Sequence, residues 1–178
     1  MKRTSMLLLL PLCLLLAFSC KKKDVAPIDQ LPAATQEGKM TMGCLVNGKA
    51  WTPKGNNGTL RLGFIYEPGY ANGSFSLGAY RLLSDTDQEF LTIGGSNLNS
   101  QREFSLDGSD VSLASYMRLT AGGVCFYYRE SEVYREGKLV ITRLDVPNHI
   151  IAGTFEFTLA RPGCDTIRVT DGRFDMKF

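Results

Sequence analysis

Two stretches near the end of the chain decide the fold: Ile150-Ile-Ala-Gly-Thr-Phe-Glu-Phe-Thr-Leu159 and Ile167-Arg-Val-Thr-Asp-Gly-Arg-Phe-Asp-Met-Lys-Phe178. In the first, Phe155, Phe157 and Leu159 share one side against Thr154, Glu156 and Thr158. In the second, Ile167 and Val169 alternate with Arg168 and Thr170, and Phe174, Met176 and Phe178 with Arg173, Asp175 and Lys177. A period of two is the mark of a half-buried strand. Working outward, Leu60, Leu62, Phe64 and Tyr66 repeat the pattern with Arg61 on the other side. Turn signals separate such runs, among them Asn47-Gly48, Pro68-Gly69, Asn72-Gly73, Asp107-Gly108, Pro162-Gly163 and Asp171-Gly172. Glycine supplies the positive φ that tight turns demand, and Asn or Asp tolerates it. No segment keeps a 3.6-residue period over three turns; Arg129–Glu136 makes at most a short surface turn or helix. The pattern predicts an all-β protein of about ten to twelve strands, an antiparallel β-sandwich with a lipocalin-like β-barrel as the alternative. Its longest hairpin should join Lys138–Asp145 to His149–Ala160.

The other end of the chain speaks of address. Lys2 and Arg3 precede the apolar run Met6–Phe18, which ends in Ser19-Cys20. A basic head, an apolar middle and a small residue before the cut make a secretory signal. The run is shorter than the roughly 20 apolar residues of a spanning helix and contains Pro11. Ala17-Phe18-Ser19-Cys20 resembles the lipobox of bacterial lipoproteins, with Ala17 and Phe18 as departures from its usual form. The resemblance implies that Cys20 is lipidated and becomes the mature N-terminus. Acyl chains that bury methylenes at ~0.8 kcal/mol each would then hold the chain to a membrane that it does not span. Lys21-Lys22-Lys23-Asp24 follows. It suits either anionic headgroups or a solvated spacer, and it also resembles the tag that sends some Bacteroidetes lipoproteins to the cell surface. The expected address is the outer membrane, with its surface and periplasmic faces both open. The expected organisation is a signal at residues 1–19, a lipidated N-terminus and flexible tether over 20–40, and a β-domain over 41–178. Pro27, Pro32 and Ala33-Ala34 give the tether a linker composition.

Composition narrows the partners. The chain of 178 residues has a formal charge of +2, and the signal carries Lys2, Arg3 and no acid, so the mature chain is neutral. Nucleic acid, which needs clustered cations, is not an expected partner. Cys44, Cys125 and Cys164 remain after processing. In an oxidising compartment they allow one disulfide and one free thiol; every pairing is open, with Cys125–Cys164 favoured because both lie in the C-terminal half. No Cys-x-x-Cys occurs, which removes zinc and thioredoxin-like readings. No cofactor is expected.

Candidate sites are few, and no catalytic motif is present. His149, the only histidine, falls in an expected hairpin turn, and triads and most metal sites lean on histidine. Asp85, Asp87 and Glu89 read as a solvated hairpin loop, since the glycine and downstream Glu of a calcium loop are missing. Asp107 and Asp110 read likewise. Asp165, Asp171 and Asp175 are the nearest thing to a carboxylate pair for glycoside hydrolysis, yet turn and polar-face duty accounts for them. Aromatic residues are the better material. Trp51, Tyr66, Tyr70, Tyr80, Tyr127, Tyr128 and Tyr134 offer flat faces for a sugar ring or a protein partner. Trp51 is expected in the core. Tyr127 and Tyr128 face opposite ways on a strand, so one should be exposed. Tyr66 and Tyr70, flanking Glu67-Pro68-Gly69, are the expected exposed ligand-binding residues.

GCLVNGKAW (Gly43–Trp51), GKLVITRLD (Gly137–Asp145), IIAGTFEFTL (Ile150–Leu159) and CDTIRVTDGRFDMKF (Cys164–Phe178) together resemble a family of small Bacteroidetes lipoproteins classed only as a domain of unknown function. The preceding LPAATQEGK (Leu31–Lys39) is similar to that family's tether. The resemblance implies an exported, lipid-anchored β-domain, and only Cys20 carries over as a functional residue. The function expected is a non-enzymatic binding or accessory module for a glycan or an envelope protein. A purely structural lipoprotein is the alternative, and a carboxylate-based glycan hydrolase the least favoured.

Overall fold

The computed structural model describes residues 25–55, 61–108, 112–128 and 131–178. Cys20, the expected lipid site, the expected signal and the lysine run lie outside the described residues. Among those residues there is no α-helix, and eleven strands carry the fold: β1 (Thr41–Val46), β2 (Lys49–Trp51), β3 (Leu62–Glu67), β4 (Ser74–Ser84), β5 (Asp87–Gly95), β6 (Glu103–Ser105), β7 (Ser112–Thr120), β8 (Gly123–Tyr127), β9 (Tyr134–Asp145), β10 (Ile150–Ala160) and β11 (Ile167–Lys177). Six form one antiparallel sheet in the order β2-β1-β11-β10-β9-β6, and five form the other, β3-β4-β5-β7-β8. The sheets pack as a sandwich and do not close into one barrel. That corrects the lipocalin-like alternative: each sheet keeps two edges, so no hydrogen-bonded ladder runs round the molecule.

The alternation read from sequence is the alternation of the core. Phe155, Phe157 and Leu159 on β10 and Ile167, Val169, Phe174 and Met176 on β11 are buried, meeting Leu77, Leu91, Ile93 and Tyr116 of the other sheet in one apolar cluster. The expected long hairpin is β9–β10, paired from Tyr134↔Ala160 to Asp145↔Ile150. Its turn ends on His149, at φ +58° and with its ring edge-on to Phe178. Arg129 and Glu130 lie outside the described residues, and Tyr134–Glu136, the end of the segment allowed as a short helix, belongs to β9. Gly172 opposes Phe155 where the β10–β11 register slips. A Cβ at Gly172 would sit 2.4 Å from the Phe155 carbonyl oxygen and 2.5 Å from its ring, so only glycine lets the ring lie flat there.

The expected disulfide is Cys125–Cys164. It joins β8, an edge of the five-stranded sheet, to the turn before β11 in the other sheet. Cys44 is free and buried. Burial, with Glu89 nearby, pushes its thiol far above the ordinary value, which leaves it inert as a nucleophile.

The segment expected as a flexible tether is bound to the domain over its second half. A 3₁₀ turn at Pro27–Gln30 leads to Leu31, which is buried. Pro32 lies against Gly43, where a Cβ would come within 2.6 Å of it. The strap then crosses the outside of the six-stranded sheet to Asp175. Thr35 Oγ1 donates to Asp175 Oδ2 at 2.6 Å, the Glu37 amide to the same oxygen at 2.9 Å, and the Gly38 amide to Oδ1 at 2.7 Å. Asp175 points away from the core, as alternation requires, yet the strap leaves it only 1% exposed. Burial raises the pKa of this carboxyl, but the donors from Thr35, Glu37, Gly38 and Lys39 outweigh it and the net shift is downward.

Candidate functional site

Among the described residues the five-stranded sheet has no such cover. By alternation its outward positions are Gly63, Ile65 and Glu67 on β3, Ser74, Ser76, Gly78, Tyr80 and Leu82 on β4, Gln88, Phe90, Thr92 and Gly94 on β5, Leu113, Ser115, Met117 and Leu119 on β7, and Val124 and Phe126 on β8. Of these only Glu67 is charged. The other charged residues of these strands, Arg81, Asp87, Glu89 and Arg118, fall on the opposite parity. Glu89 is one of the acids expected in a solvated loop; it is instead buried on β5, 2.7 Å from the donating Trp51 Nε1–H and 3.7 Å from Arg81 Nη1. Its alternation with Leu91 and Ile93 turns it inward, and Trp51 is in the core as expected.

A groove of about 400 Å³ opens on this face. Its floor is built of small residues of β4, β5 and β7, chiefly Ser74, Ser76, Thr92, Gly94 and Ser112. Tyr70 lines it from the β3–β4 loop and Tyr128 from the end of β8, so the two tyrosines stand at opposite ends of the floor in strand order. Three strand spacings, about 15 Å, separate β4 from β8. Tyr70 is 66% exposed and Tyr128 42%.

Each tyrosine is positioned by its surroundings. The loop after Tyr70 runs through Ala71, Asn72 and Gly73, all with positive φ. A side chain at Gly73 would meet the Leu98 carbonyl oxygen at 2.0 Å. The Asn97 amide donates to the Ala71 carbonyl at 3.0 Å and the Leu98 amide to that of Gly73 at 2.9 Å, pinning the loop to the segment after β5. An alanine in the left-handed region is strained, and these bonds hold it. Tyr128 stacks on Phe126, ring centroids 5.7 Å apart and 22° from parallel. Its neighbour Tyr127 turns inward, with its hydroxyl donating to the Asp165 carbonyl. One tyrosine of the pair is exposed, as alternation predicts.

Tyr66 is not exposed, and that expectation is corrected. It continues the inward row of Leu62 and Phe64, is 9% exposed, and donates its hydroxyl to the Leu98 carbonyl at 2.7 Å while meeting Phe178 edge-on. Burial raises its phenol pKa. Beside the groove runs an apolar row of paired residues, Tyr80↔Phe90, Phe90↔Met117 and Met117↔Phe126. Tyr80 and Phe90 stack at 4.3 Å. Sequence reading named Tyr80 but missed Phe90 and Phe126. Their shared face was legible from parity, but their adjacency depends on strand order.

The acids do not assemble. Asp165 is in the turn before β11, Asp171 sits at φ +53° beside Gly172, and Asp175 is under the strap. Among the described residues no three His, Cys, Asp or Glu side chains are grouped to hold a metal ion. Compared with family models, with curated proteins and with solved structures, the chain finds no match.

Proposed function

We propose that the protein is a lipid-anchored, non-enzymatic binding module of the bacterial cell envelope, and that its ligand is a glycan held in the groove between Tyr70 and Tyr128. One observation carries the reading: two exposed, positioned aromatic rings at either end of a floor of hydroxyls and glycine. Tyrosine offers a large flat contact at a small entropic cost, and serine and threonine hydroxyls exchange hydrogen bonds with sugar hydroxyls. The signal and Cys20 support the anchor. From Cys20 to the first docked residue, Leu31, the chain reaches at most about 40 Å. The strap lies on the six-stranded sheet, which favours a groove turned away from the bilayer.

A glycan array probed with the Cys20→Ala protein tests the reading. Specific binding lost in Tyr128→Ala supports it; a blank array sinks it. The anchor has its own test. Cys20→Ala should move the protein from the membrane to the soluble fraction, and unchanged detergent partitioning would refute lipidation. A second reading, docking of an envelope protein, is favoured by the Tyr80–Phe90–Met117–Phe126 row and by Val124, 56% exposed on an edge strand, since large exposed apolar patches mark contact surfaces. Capture of one envelope protein, lost in Phe126→Ser, would move the assignment there.

A further inference from the structure

Resting on the glycan reading, we infer that the groove selects an uncharged glycan, bound as a short run of sugar rings lying across the strands. Antiparallel sheets ordinarily set polar and charged side chains on their solvent face. Among the described residues no Asp, Glu, Lys, Arg or His lines the groove, and the one charge on the outward positions of the five strands is the carboxylate Glu67 of β3, paired with Ser74. A uronate, sulfate or phosphate group laid on this floor would lose water and meet no cation among the described residues, an uncompensated desolvation. A neutral chain loses only hydroxyl hydration, which Ser76 and Thr92 hydroxyls restore, while its apolar ring faces cover Tyr70 and Tyr128. The orientation follows from the ends. The two tyrosines belong to opposite sides of the sheet, about 15 Å apart in strand spacing, so one sugar does not reach both and a run of about three does. Such binding gains nothing from long-range charge, and salt should leave it unchanged.

Affinity electrophoresis of the mature protein in detergent micelles separates the possibilities. The gels contain either neutral polymers (a mixed-linkage glucan, a galactomannan, a xylan) or acidic ones (polygalacturonate, chondroitin sulfate). Retardation by a neutral polymer, equal at low and high salt and weakened about tenfold or more in both Tyr70→Ala and Tyr128→Ala, is the expected result. Ser76→Lys, which adds a cation to the floor, should weaken that binding and create none to the acidic gels. Retardation by the acidic polymers alone, or binding that salt abolishes, overturns the inference while leaving a glycan-binding module. Loss in only one tyrosine variant overturns the cross-strand placement. No retardation by either class, with an unchanged melting temperature, overturns the glycan reading itself.

Discussion

The two outer faces of the sandwich have the same construction and opposite finishes. On the six-stranded sheet, β10 and β11 alternate apolar inside with Glu156, Arg168, Asp175 and Lys177 outside, and the strap from Leu31 to Gly38 lies over part of it. Lys138 pairs with Glu156 at 3.3 Å across β9–β10, an exposed pair of the kind that contributes little. On the five-stranded sheet the outside is hydroxyl, glycine, aliphatic and aromatic, with Glu67 at one edge as its one charge, and no described segment lies over it. One face is satisfied by its own chain. The other has no such cover among the described residues, which is why the groove and not the acids is the place to look.

The largest effect expected from breaking this contrast lies at the link between the sheets. Cys125→Ser removes a bridge spanning 39 residues, which chain entropy values at about 4 kcal/mol. Urea unfolding should show it as a lower midpoint, and a shift below about 1 kcal/mol would mean that the edge strand β8, and with it Tyr128, is held by pairing alone.

Next comes the clip on the covered face. Asp175→Ala strands the donors of Thr35, Glu37 and Gly38, at about 3 kcal/mol for a buried charged acceptor. Tryptic cleavage after Lys39 should accelerate, with glycan binding unaffected; resistance equal to the parent's would mean that the strap is held by Leu31 and Pro32 instead. The same carboxyl sets a pH dependence. Its folded pKa lies below the unfolded one of about 3.9, so its contribution is full above that value and lost as pH falls through the folded pKa. Parent and Asp175→Asn melting curves should therefore differ at neutral pH and converge in acid. A constant difference would assign the effect to packing.

Gly172→Ala should destabilise by about 2 kcal/mol through overpacking against Phe155, read as a lower melting temperature. The smallest stability effect belongs to the face with the groove. Tyr70→Ala should change stability by no more than about 0.5 kcal/mol while removing binding. A larger loss of stability would make Tyr70 part of the fold and weaken the contrast between the faces.

Period-two alternation made most strands legible, because a half-buried strand must separate apolar from polar residue by residue. The same rule, applied strictly, places Tyr66 with Leu62 and Phe64 and Glu89 with Leu91 and Ile93. Their neighbourhoods, a Pro-Gly turn and a run of acids, point the other way, and the structure follows parity. The strap was not legible. Its donors meet Asp175 across about 140 residues of sequence, and a Pro- and Ala-rich segment has the same composition whether solvated or docked. Tyr70 was legible as an exposed turn residue; its pairing with Tyr128 was not, since they are brought to one groove only by the order β3-β4-β5-β7-β8.

By itself, then, the sequence determined the class of fold, the inward residues of most strands and the favoured cysteine pair, because these depend on alternation and on residue chemistry. Tertiary structure alone decided that two open sheets form and not a closed barrel, that the tether's second half is a strap on Asp175, and that Tyr70 and Tyr128 come to opposite ends of one groove on the other outer face. Those outcomes depend on which strands become neighbours and on contacts between residues far apart in the chain, and no local pattern encodes either.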